Sequence, residues 1–309
     1  GRTDRETAGS SRAQCGGGAK QARRLVRTES CYMAGELTAQ SYIDCGIKNY
    51  RYVAVLDLRT SKICRELDGK VFPVKDRKAG VNYPPMHPYC RSTTISVIDD
   101  KILRNMKRSA YNPETGRTEM VPADMTYKQW YEKYVKGNPK AEAQEKAVKN
   151  AASDRKQYDQ YRELLKKDMP KHFADLQEMK YNEPEKWEKL QRKYQDTQLQ
   201  EKIRSKDYPK QIEEGKQGKH ILGHNNYIDG RSYLTTDIKE TQDLVNKYAG
   251  TGKIQRDRQG HWNHKEVVTM RKTIGVHKDL KGNELPNDIV TIHYSKNGVH
   301  VVPAKPREK

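Results

Sequence analysis

Histidine is concentrated at the C-terminal end of this 309-residue chain. Seven of the nine histidines follow Gly215, namely His220, His224, His261, His264, His277, His293 and His300. An imidazole titrates close to neutral pH, so it can accept or donate a proton under ordinary conditions. Acid–base chemistry is therefore expected in the last ninety-odd residues of the chain.

Two of these histidines lie in a predicted β-hairpin over residues 288–303. Asn297-Gly298 stands between two runs rich in β-branched residues, which is the strongest short-range signal for a tight hairpin turn. If these two residues form the turn, Ser295 lies opposite His300.

Side chains alternate along a strand, so the two strands of this hairpin present two different faces. One face carries hydroxyls and imidazoles, from Thr291, His293, Ser295 and His300, and the same register sets His293 opposite Val302. The other face is apolar and is predicted to be core, with Val290, Ile292, Tyr294 and Val301. Because a solvated strand needs no such set of polar groups, the first face is predicted to be a chemical site.

A loop upstream supplies further groups. His220 is followed eleven and twelve residues later by Arg231 and Ser232. Arginine suits phosphate because its guanidinium is planar, bidentate and always charged. The alternative is that His220 and His224 form a metal-binding pair on a helix. Gly223 and the two asparagines that follow His224 disfavour a helix there.

Composition and charge limit the class of protein. Only 34% of the residues are hydrophobic and the mean hydropathy is −1.09, so one large core is not expected. The length predicts two domains, or two joined by a spacer. The formal net charge of +19 favours a polyanionic partner such as nucleic acid, although a solvated basic surface is the alternative. No apolar run approaches the length of a bilayer span, so no membrane partner is expected.

The elements that must position the C-terminal histidines are one helix and several strands. The helix is predicted from a Thr236 cap to Gly250, with Ile238, Leu244 and Val245 facing inward. A strand is predicted over residues 265–277, followed by the hairpin. The fold class is therefore α+β, with the helix preceding an antiparallel sheet.

The middle of the chain, residues 100–215, is highly charged. Opposite charges interleave, and helices are predicted at 127–134 and, without a break, over 141–167. These features indicate a charged helical spacer. A nucleic-acid-binding arm is the alternative, which the balance of charges disfavours.

The N-terminal third contains two motifs after a predicted strand at residues 52–57. They are D-x-R-T-S-x-x-C-x-x-L-D-G over 57–69 and P-P-x-H-P-x-C-R-S over 84–92. Together with Arg27-Thr-Glu29, they closely resemble the phage Mu F-like minor head protein family, also called the phage head morphogenesis domain. The resemblance covers about residues 10–99. It implies a small α+β domain that associates with a phage capsid and portal and is not itself an enzyme.

All five cysteines fall within the first ninety residues, in an odd number and at irregular spacing, which argues against a secreted disulfide scaffold. Cys64, His87 and Cys90 could supply three zinc ligands, with Cys45 or Asp57 as the fourth. Only His87-x-x-Cys90 is closely spaced, whereas structural zinc sites usually have two close pairs. The preferred interpretation is therefore a buried Cys64 beside a proline-rich turn, with no metal or other cofactor.

Four strings of the C-terminal segment carry a second resemblance. They are Lys219-His-Ile-Leu-Gly-His-Asn-Asn-Tyr227, Gly230-Arg-Ser232, Ile274-Gly275 and Ile292-His-Tyr-Ser-Lys-Asn-Gly-Val-His-Val-Val-Pro303. They resemble the polymorphic toxin family called bacterial toxin 50, over about residues 216–306. The resemblance implies a ribonuclease fold of the barnase–EndoU–colicin–RelE group and RNA cleavage without a metal. Such toxins are found fused behind Mu F-like domains, so the two resemblances support each other.

Metal-independent RNA cleavage uses the ribose 2′-hydroxyl as the nucleophile. It needs a base for that hydroxyl, an acid for the leaving oxygen and positive charge for the phosphorane. The predicted catalytic residues are His220 for proton transfer, Arg231 as phosphate clamp, Thr291 and Ser295 as hydroxyl donors, and His293 or His300 as the complementary proton-transfer group. The predicted substrate-binding residues are Lys219, Ser232, Lys265 and His300.

The sequence thus predicts a Mu F-like domain at 1–99, a helical spacer at 100–215 and a toxin domain at 216–309. The expected protein is a phage-associated polymorphic toxin, carried in a virion or encoded by a prophage, whose ribonuclease acts in the bacterial cytoplasm. Its expected partners are RNA, phage portal and capsid proteins, and a cognate immunity protein. Because the chain begins at Gly1 rather than Met, it is expected to be part of a longer protein.

Two alternatives come from other functional classes. One is a structural minor head protein whose C-terminal domain binds nucleic acid without cutting it. The other is a deoxyribonuclease, which is disfavoured because the paired acids and metal-binding histidines that most such enzymes need are sparse.

Overall fold

The computed structural model describes residues 4–97, 99–279 and 281–305, with side chains from residue 18 onward except at 20 and 100. Contacts divide the chain into two compact units, one ending at Arg155 and one beginning at Lys156. Helices dominate the first two thirds of the chain and antiparallel sheet the last third, which confirms the predicted α+β class. None of the described helices is both long and apolar enough to cross a bilayer.

The first unit alternates short strands with helices. Its elements are α1 Asp4–Asp44, β1 Asn49–Val53, α2 Lys62–Leu67, β2 Val71–Pro73, β3 Thr93–Ser96, α3 Asp100–Asn105, β4 Lys107–Asn112, β5 Arg117–Pro122, α4 Tyr127–Tyr134, α5 Pro139–Lys149 and the beginning of α6 Ala151–Leu165. A 3₁₀ turn covers Val74–Asp76.

Strand β1 is the centre of a small antiparallel sheet with the order β2-β1-β3. Alternation along β1 directs Tyr50 and Tyr52 into the interior, where neither is exposed. Helix α1 packs beside this sheet through Ala39 and Tyr42. The strand predicted at 52–57 is therefore real but lies about three residues earlier in the chain.

Residues 107–122 form a β-hairpin of β4 and β5, which the helical-spacer prediction did not include. Its two buried side chains, Ala110 and Val121, pack against Leu56 and Trp130. The indole of Trp130 also donates a 2.9 Å hydrogen bond to a carbonyl of β4. The beginning of the predicted spacer thus shares a core with the N-terminal strands.

A buried carboxylate ties these segments together. Asp68, which ends α2, accepts hydrogen bonds from the backbone of Ala54 at 2.7 Å and Tyr127 at 2.6 Å. The guanidinium of Arg108 on β4 lies 3.3 Å away and completes the charge pairing. Because Asp68 is buried, its partners fix the relative positions of α2, β4 and α4.

The second unit begins within α6 and continues with helices, then strands. Its elements are α7 Phe173–Asn182, α8 Pro184–Arg204, α9 Glu214–Gln217, β6 Tyr233–Leu234, α10 Ile238–Tyr248, β7 Lys253–Arg256, β8 Trp262–Thr269, β9 Gly275–Lys278, β10 Glu284–Asn287, β11 Ile289–Ser295 and β12 Gly298–Pro303. Short 3₁₀ turns cover Lys166–Asp168 and Gly218–His220.

The helices of this unit hold an aromatic stack. The ring of Tyr161 lies 4.0 Å from that of Tyr194 and 6.1 Å from that of Trp187, nearly parallel to both. The predicted single helix over 141–167 is interrupted, because α5 ends at Lys149 and the ψ of 6° at its C-cap, Asn150, leaves the helical range. The short helix predicted at 127–134 is confirmed as α4.

Two antiparallel sheets make up the C-terminal part, in the orders β12-β11-β8-β7 and β10-β9-β6. Their common core holds the predicted apolar hairpin face and Val245 of α10, and the hairpin-face residues confirmed as buried are Val290, Ile292, Tyr294 and Val301. Ile203 at the end of α8 and Ile212 also belong to this core. The core therefore recruits residues that precede position 216.

The elements before the hairpin differ in detail from the prediction. Helix α10 forms where it is expected, but its N-cap is Asp237 rather than Thr236, because the Asp237 carboxylate accepts a hydrogen bond from the backbone of Glu240 at 2.7 Å. The strand predicted over 265–277 is two strands, β8 and β9, which belong to different sheets.

The hairpin forms, but the residue opposite each position of β11 is two residues earlier in β12 than predicted. Ser295 lies opposite Gly298, and His293 lies opposite His300. Lys296 and Asn297 are the turn, and the positive φ falls on Gly298 at 130°. The predicted pairings of Ser295 with His300 and of His293 with Val302 are therefore wrong. Because the shift is an even number of residues, every side chain keeps its predicted face.

Candidate active site on the hairpin face

Three imidazoles come together on the polar face of the hairpin. His293 of β11 and His300 of β12 are directly opposed, and their ring centroids are 4.5 Å apart. The ring of His220 lies 6.3 Å from that of His300 at an interplanar angle of 14°. The structure therefore brings the predicted loop histidine to the predicted face.

The register places a cation in the same row. His293 pairs with Lys265 of β8 on one side and with His300 on the other. Directly opposed residues of neighbouring strands share a face, so Lys265, His293 and His300 line up across three strands. Thr291 lies two residues before His293 on the same face and is half-buried. Within the described part of the chain, the hydroxyl of Thr291 has no side-chain partner.

A buried glutamine holds the His220 loop against β12. The side-chain amide of Gln217 accepts a 2.7 Å hydrogen bond from the backbone N–H of Val301 and donates a 3.0 Å bond to its carbonyl. Gln217 is fully buried, so this pair of bonds replaces a strand partner for β12. The 3₁₀ turn that follows it delivers His220 to the site.

One hydrogen bond fixes the tautomer of His220. Its Nδ1 lies 2.9 Å from the carbonyl oxygen of Ser232, which can only accept. Nδ1 therefore carries the proton, and Nε2 keeps its lone pair. His220 is also buried, which restricts rotation of its ring.

Arg231 and Ser232 occupy different environments. Arg231 is exposed, yet its charge lies close enough to lower the pKa of His220. The hydroxyl of Ser232 accepts a 3.0 Å hydrogen bond from the backbone of Lys278 and lies 3.3 Å from Nδ1 of His277. Ser232 therefore connects the loop to β9.

Ser295 uses its hydroxyl inside the hairpin. It donates a 2.8 Å hydrogen bond to the carbonyl of Gly298 and lies 3.5 Å from a carboxylate oxygen of Glu213. The hydroxyl of Thr291 makes no such hydrogen bond with the residues that the structure describes, so the two predicted hydroxyl donors are not equivalent.

All three imidazoles have depressed pKa values. Burial, the neighbouring imidazoles and the charge of Lys265 lower the pKa of His293 to about 4. Burial, His220 and the charge of Lys216 lower the pKa of His300 to about 4, against a smaller opposing effect of Glu213. Burial is also the main cause of the lowered pKa of His220, opposed by its bond to Ser232 and reinforced by Arg231 and Lys219. The cluster is therefore uncharged near pH 7 and surrounded by cations, which favours an anion over a further proton.

Two residues of this site escaped the sequence analysis. Glu213 and Lys216 form a 2.7 Å ion pair, and the charges of both act on His300. They lie at the site because the backbone of Glu213 donates a 2.8 Å hydrogen bond to the carbonyl of Val299. Glu213 was missed because it precedes residue 216, where the domain was predicted to start, and no pattern marks the segment as part of the sheet.

Two further histidines, His224 and His261, make other contacts. The ring of His224 lies so close to Gly218 that any Cβ there would approach it to 2.4 Å. Gly223 has a φ of +84°, so the helix from His220 to His224 on which the alternative metal-binding pair depended is not formed. His261 is exposed beside Asp257.

In the first unit, Cys64, His87 and Cys90 lie together, as the zinc alternative required. Neither predicted fourth ligand joins them. Asp57 is bound in two places by the guanidinium of Arg91, at 2.5 and 2.9 Å. Cys45, just beyond the end of α1, is exposed.

Two family models match the chain. The model described as bacterial toxin 50 matches residues 212–303, and the model described as phage Mu protein F like protein matches residues 1–95. No curated protein matches the chain. The toxin match begins at 212 and so includes Glu213 and Lys216. The two matches confirm that a phage Mu F-like segment is fused to a C-terminal toxin domain.

Proposed function

We propose that this phage-associated toxin fusion is a metal-independent endoribonuclease, whose C-terminal unit cuts RNA by attack of a ribose 2′-hydroxyl on the adjacent phosphate. The products would carry a 2′,3′-cyclic phosphate and a free 5′-hydroxyl. The observation that carries the proposal is the cluster of His220, His293 and His300 beside the cations Lys216, Lys219, Lys265 and Arg231.

His220 is suited to be the general base. Its Nδ1 proton is committed to the carbonyl of Ser232, so Nε2 can accept the proton of the 2′-hydroxyl. Its lowered pKa keeps this nitrogen unprotonated near neutral pH. Removal of the proton forms the nucleophilic oxygen, which attacks phosphorus while the bond to the 5′-oxygen breaks.

The acid must come from the His293–His300 pair. Both are neutral in the free protein, because burial and nearby positive charge oppose protonation. A bound phosphate brings negative charge and thereby raises the pKa of an adjacent imidazole. Substrate binding would thus load a proton onto His293, with His300 beside it, and that proton would go to the leaving 5′-oxygen.

Fixed charge replaces a metal ion in this scheme. Arg231 and Lys265 would stabilise the phosphorane, and the hydroxyl of Thr291 would donate to a phosphate oxygen. Ser295 would shape the turn, because its hydroxyl is already bonded to Gly298. Lys219 lies near His220 and would bind a neighbouring phosphate.

The N-terminal segment would act as the carrier that associates with capsid and portal proteins. A cognate immunity protein would protect the producing cell, and the basic polar face of the hairpin is where it would have to bind to block RNA. The carrier role predicts that the chain copurifies with phage particles.

The test is to incubate the full chain with total RNA in excess EDTA and to identify the product ends. We expect cleavage that leaves 2′,3′-cyclic phosphates in the wild type and in His261→Ala, a matched change at an exposed histidine. His220→Ala should not cut. Binding of RNA without cleavage would favour the structural alternative, and cleavage that needs a divalent ion would contradict the mechanism.

A further inference from the structure

A second cluster of chemistry-bearing side chains lies in the first unit, far in sequence from the ribonuclease site. Cys64 of α2 lies with its sulfur 3.4 Å from Nε2 of His87 and 3.9 Å from the sulfur of Cys90. Their three ligand atoms are all within 4.8 Å of one another. Among the described residues, this is the group of cysteine, histidine and acidic side chains that meets such spacing.

These distances are those of a tetrahedral zinc site. Zn–S bonds of about 2.3 Å and Zn–N bonds of about 2.0–2.1 Å, at tetrahedral angles, separate two sulfurs by about 3.8 Å and a sulfur from a nitrogen by about 3.6 Å. The observed 3.9 and 3.4 Å agree with both values. A disulfide would instead require the sulfurs of Cys64 and Cys90 to approach to about 2.05 Å.

The surroundings orient the ligand atoms as they would around a metal. Nδ1 of His87 lies 2.8 Å from the carbonyl of Pro88, so it carries the proton and Nε2 offers its lone pair to the cluster. The hydroxyl of Tyr52 donates to the sulfur of Cys64 at 3.2 Å. Such donors stabilise metal-bound thiolates.

The candidate for a fourth ligand is Cys31 on α1. Cys31 packs against the buried cluster that contains Cys64 and Cys90, although its thiol is outside the group of three ligand atoms that lie within 4.8 Å of one another. Cys45 follows Cys31 by fourteen residues, which places it about 20 Å further along the helix axis. It is therefore excluded by distance, as Asp57 is by its pairing with Arg91.

We propose that Cys31, Cys64, His87 and Cys90 bind one Zn²⁺ ion as a closed structural site. Four protein ligands leave no open coordination position, so the ion would stabilise the fold rather than take part in a reaction. It would join α1, α2 and the loop before β3, which also pack together in a small core. This site is independent of the ribonuclease proposal.

The experiment measures zinc in the full chain, purified from zinc-supplemented cells under reducing conditions without chelator. We expect one zinc per chain in the wild type and in Cys45→Ser, the matched control at an exposed thiol. Cys64→Ser and Cys90→Ser should each retain less than about a tenth of that zinc, and Cys31→Ser should bind it measurably more weakly.

A second measurement needs no variant. Cobalt added to the metal-free wild type should produce the visible absorption of a tetrahedral cobalt–thiolate complex, and one equivalent of zinc should abolish it. A wild type that holds no stoichiometric zinc, or whose Cys64 and Cys90 are found joined as a disulfide, would overturn the proposal. So would a Cys45→Ser protein that loses its metal as completely as Cys64→Ser.

Discussion

Each of the two units contains a cluster that includes histidine, and the side chains around the two clusters differ in charge. In the first unit, one imidazole and two thiols lie within 4.8 Å of one another, and thiols become anionic when a metal binds. In the second, three imidazoles are more widely spaced and are flanked by lysines and an arginine. The first arrangement would suit a cation, and the second would suit an anion. Charge around a histidine cluster therefore decides its chemistry more than the number of histidines does.

The largest expected effect comes from removing the groups proposed to act on the phosphate. His220→Ala and Arg231→Ala should each lower the rate of RNA cleavage by about a hundredfold or more, because each removes a proton-transfer or charge-stabilising group. Thermal unfolding should show that both variants stay folded. If either variant kept more than about a tenth of the wild-type rate, the cluster would not be the catalytic centre.

A second prediction separates the two faces of β11. Ile292→Ala should lower the free energy of unfolding by about 2–5 kcal/mol, because it opens a cavity at a fully buried position. Thr291→Ala, its neighbour on the polar face, should leave stability nearly unchanged and reduce the cleavage rate several-fold. Denaturant titration and single-turnover cleavage distinguish the two effects. Loss of stability at Thr291 and not at Ile292 would reverse the assignment of the faces.

These faces are the part of the site that could be predicted from sequence. The alternation of Val290, Ile292 and Tyr294 with polar residues has a period of two, so a register error of two residues leaves the faces unchanged. Which residues of β11 and β12 pair with each other depends on the position of the turn, and here Gly298 rather than Asn297 has the positive φ. The opposition of His293 and His300 therefore needed the structure.

Contacts between segments that are distant in the sequence could not be predicted from the sequence pattern. Cys31 and Glu213 join their clusters through tertiary packing, and no spacing marks either one. The hairpin at 107–122 was missed for a different reason. Each of its strands buries a single side chain, Ala110 or Val121, so the alternating signal is weak and the charged residues dominate.

A third prediction concerns the loss of stability of the histidine cluster's unit at acidic pH. The folded-state pKa of His293 and of His300 is about 4, below the unfolded value of about 6.5. As pH falls from about 6.5 toward 4, the unfolded chain gains protons that the folded protein does not, so stability falls. The thermal midpoint of the second unit should therefore drop over this range, and His293→Gln should drop less. Sulfate should reduce the loss in the wild type, because an anion offsets the charges of Lys216 and Lys265. Equal acid sensitivity of wild type and variant would contradict the shifted pKa values.

The smallest expected effect comes from the opposite face of β8, at Glu266. This side chain is fully buried, and one oxygen accepts hydrogen bonds from the backbone of Gly250 at 2.8 Å and the hydroxyl of Tyr294 at 2.9 Å. Its other oxygen has no partner among the described residues. Burial raises the pKa of this carboxyl, so the folded state holds its proton to higher pH than the unfolded chain does. Its contribution to stability is complete below the unfolded pKa of about 4.3 and is lost as pH rises through the folded value.

Glu266→Gln tests the direction of this pH dependence, because the amide keeps the shape and neutrality of the protonated acid. At pH 5 the variant should unfold within about 1 kcal/mol of the wild type, and its relative stability should increase toward pH 8. The pH dependence is opposite to that of the histidine face, so neighbouring strands of one sheet would lose stability at opposite ends of the pH scale. Denaturant titrations of both proteins at pH 5 and pH 8 provide the measurement. A variant that becomes relatively less stable as pH rises would show that Glu266 is ionised in the fold.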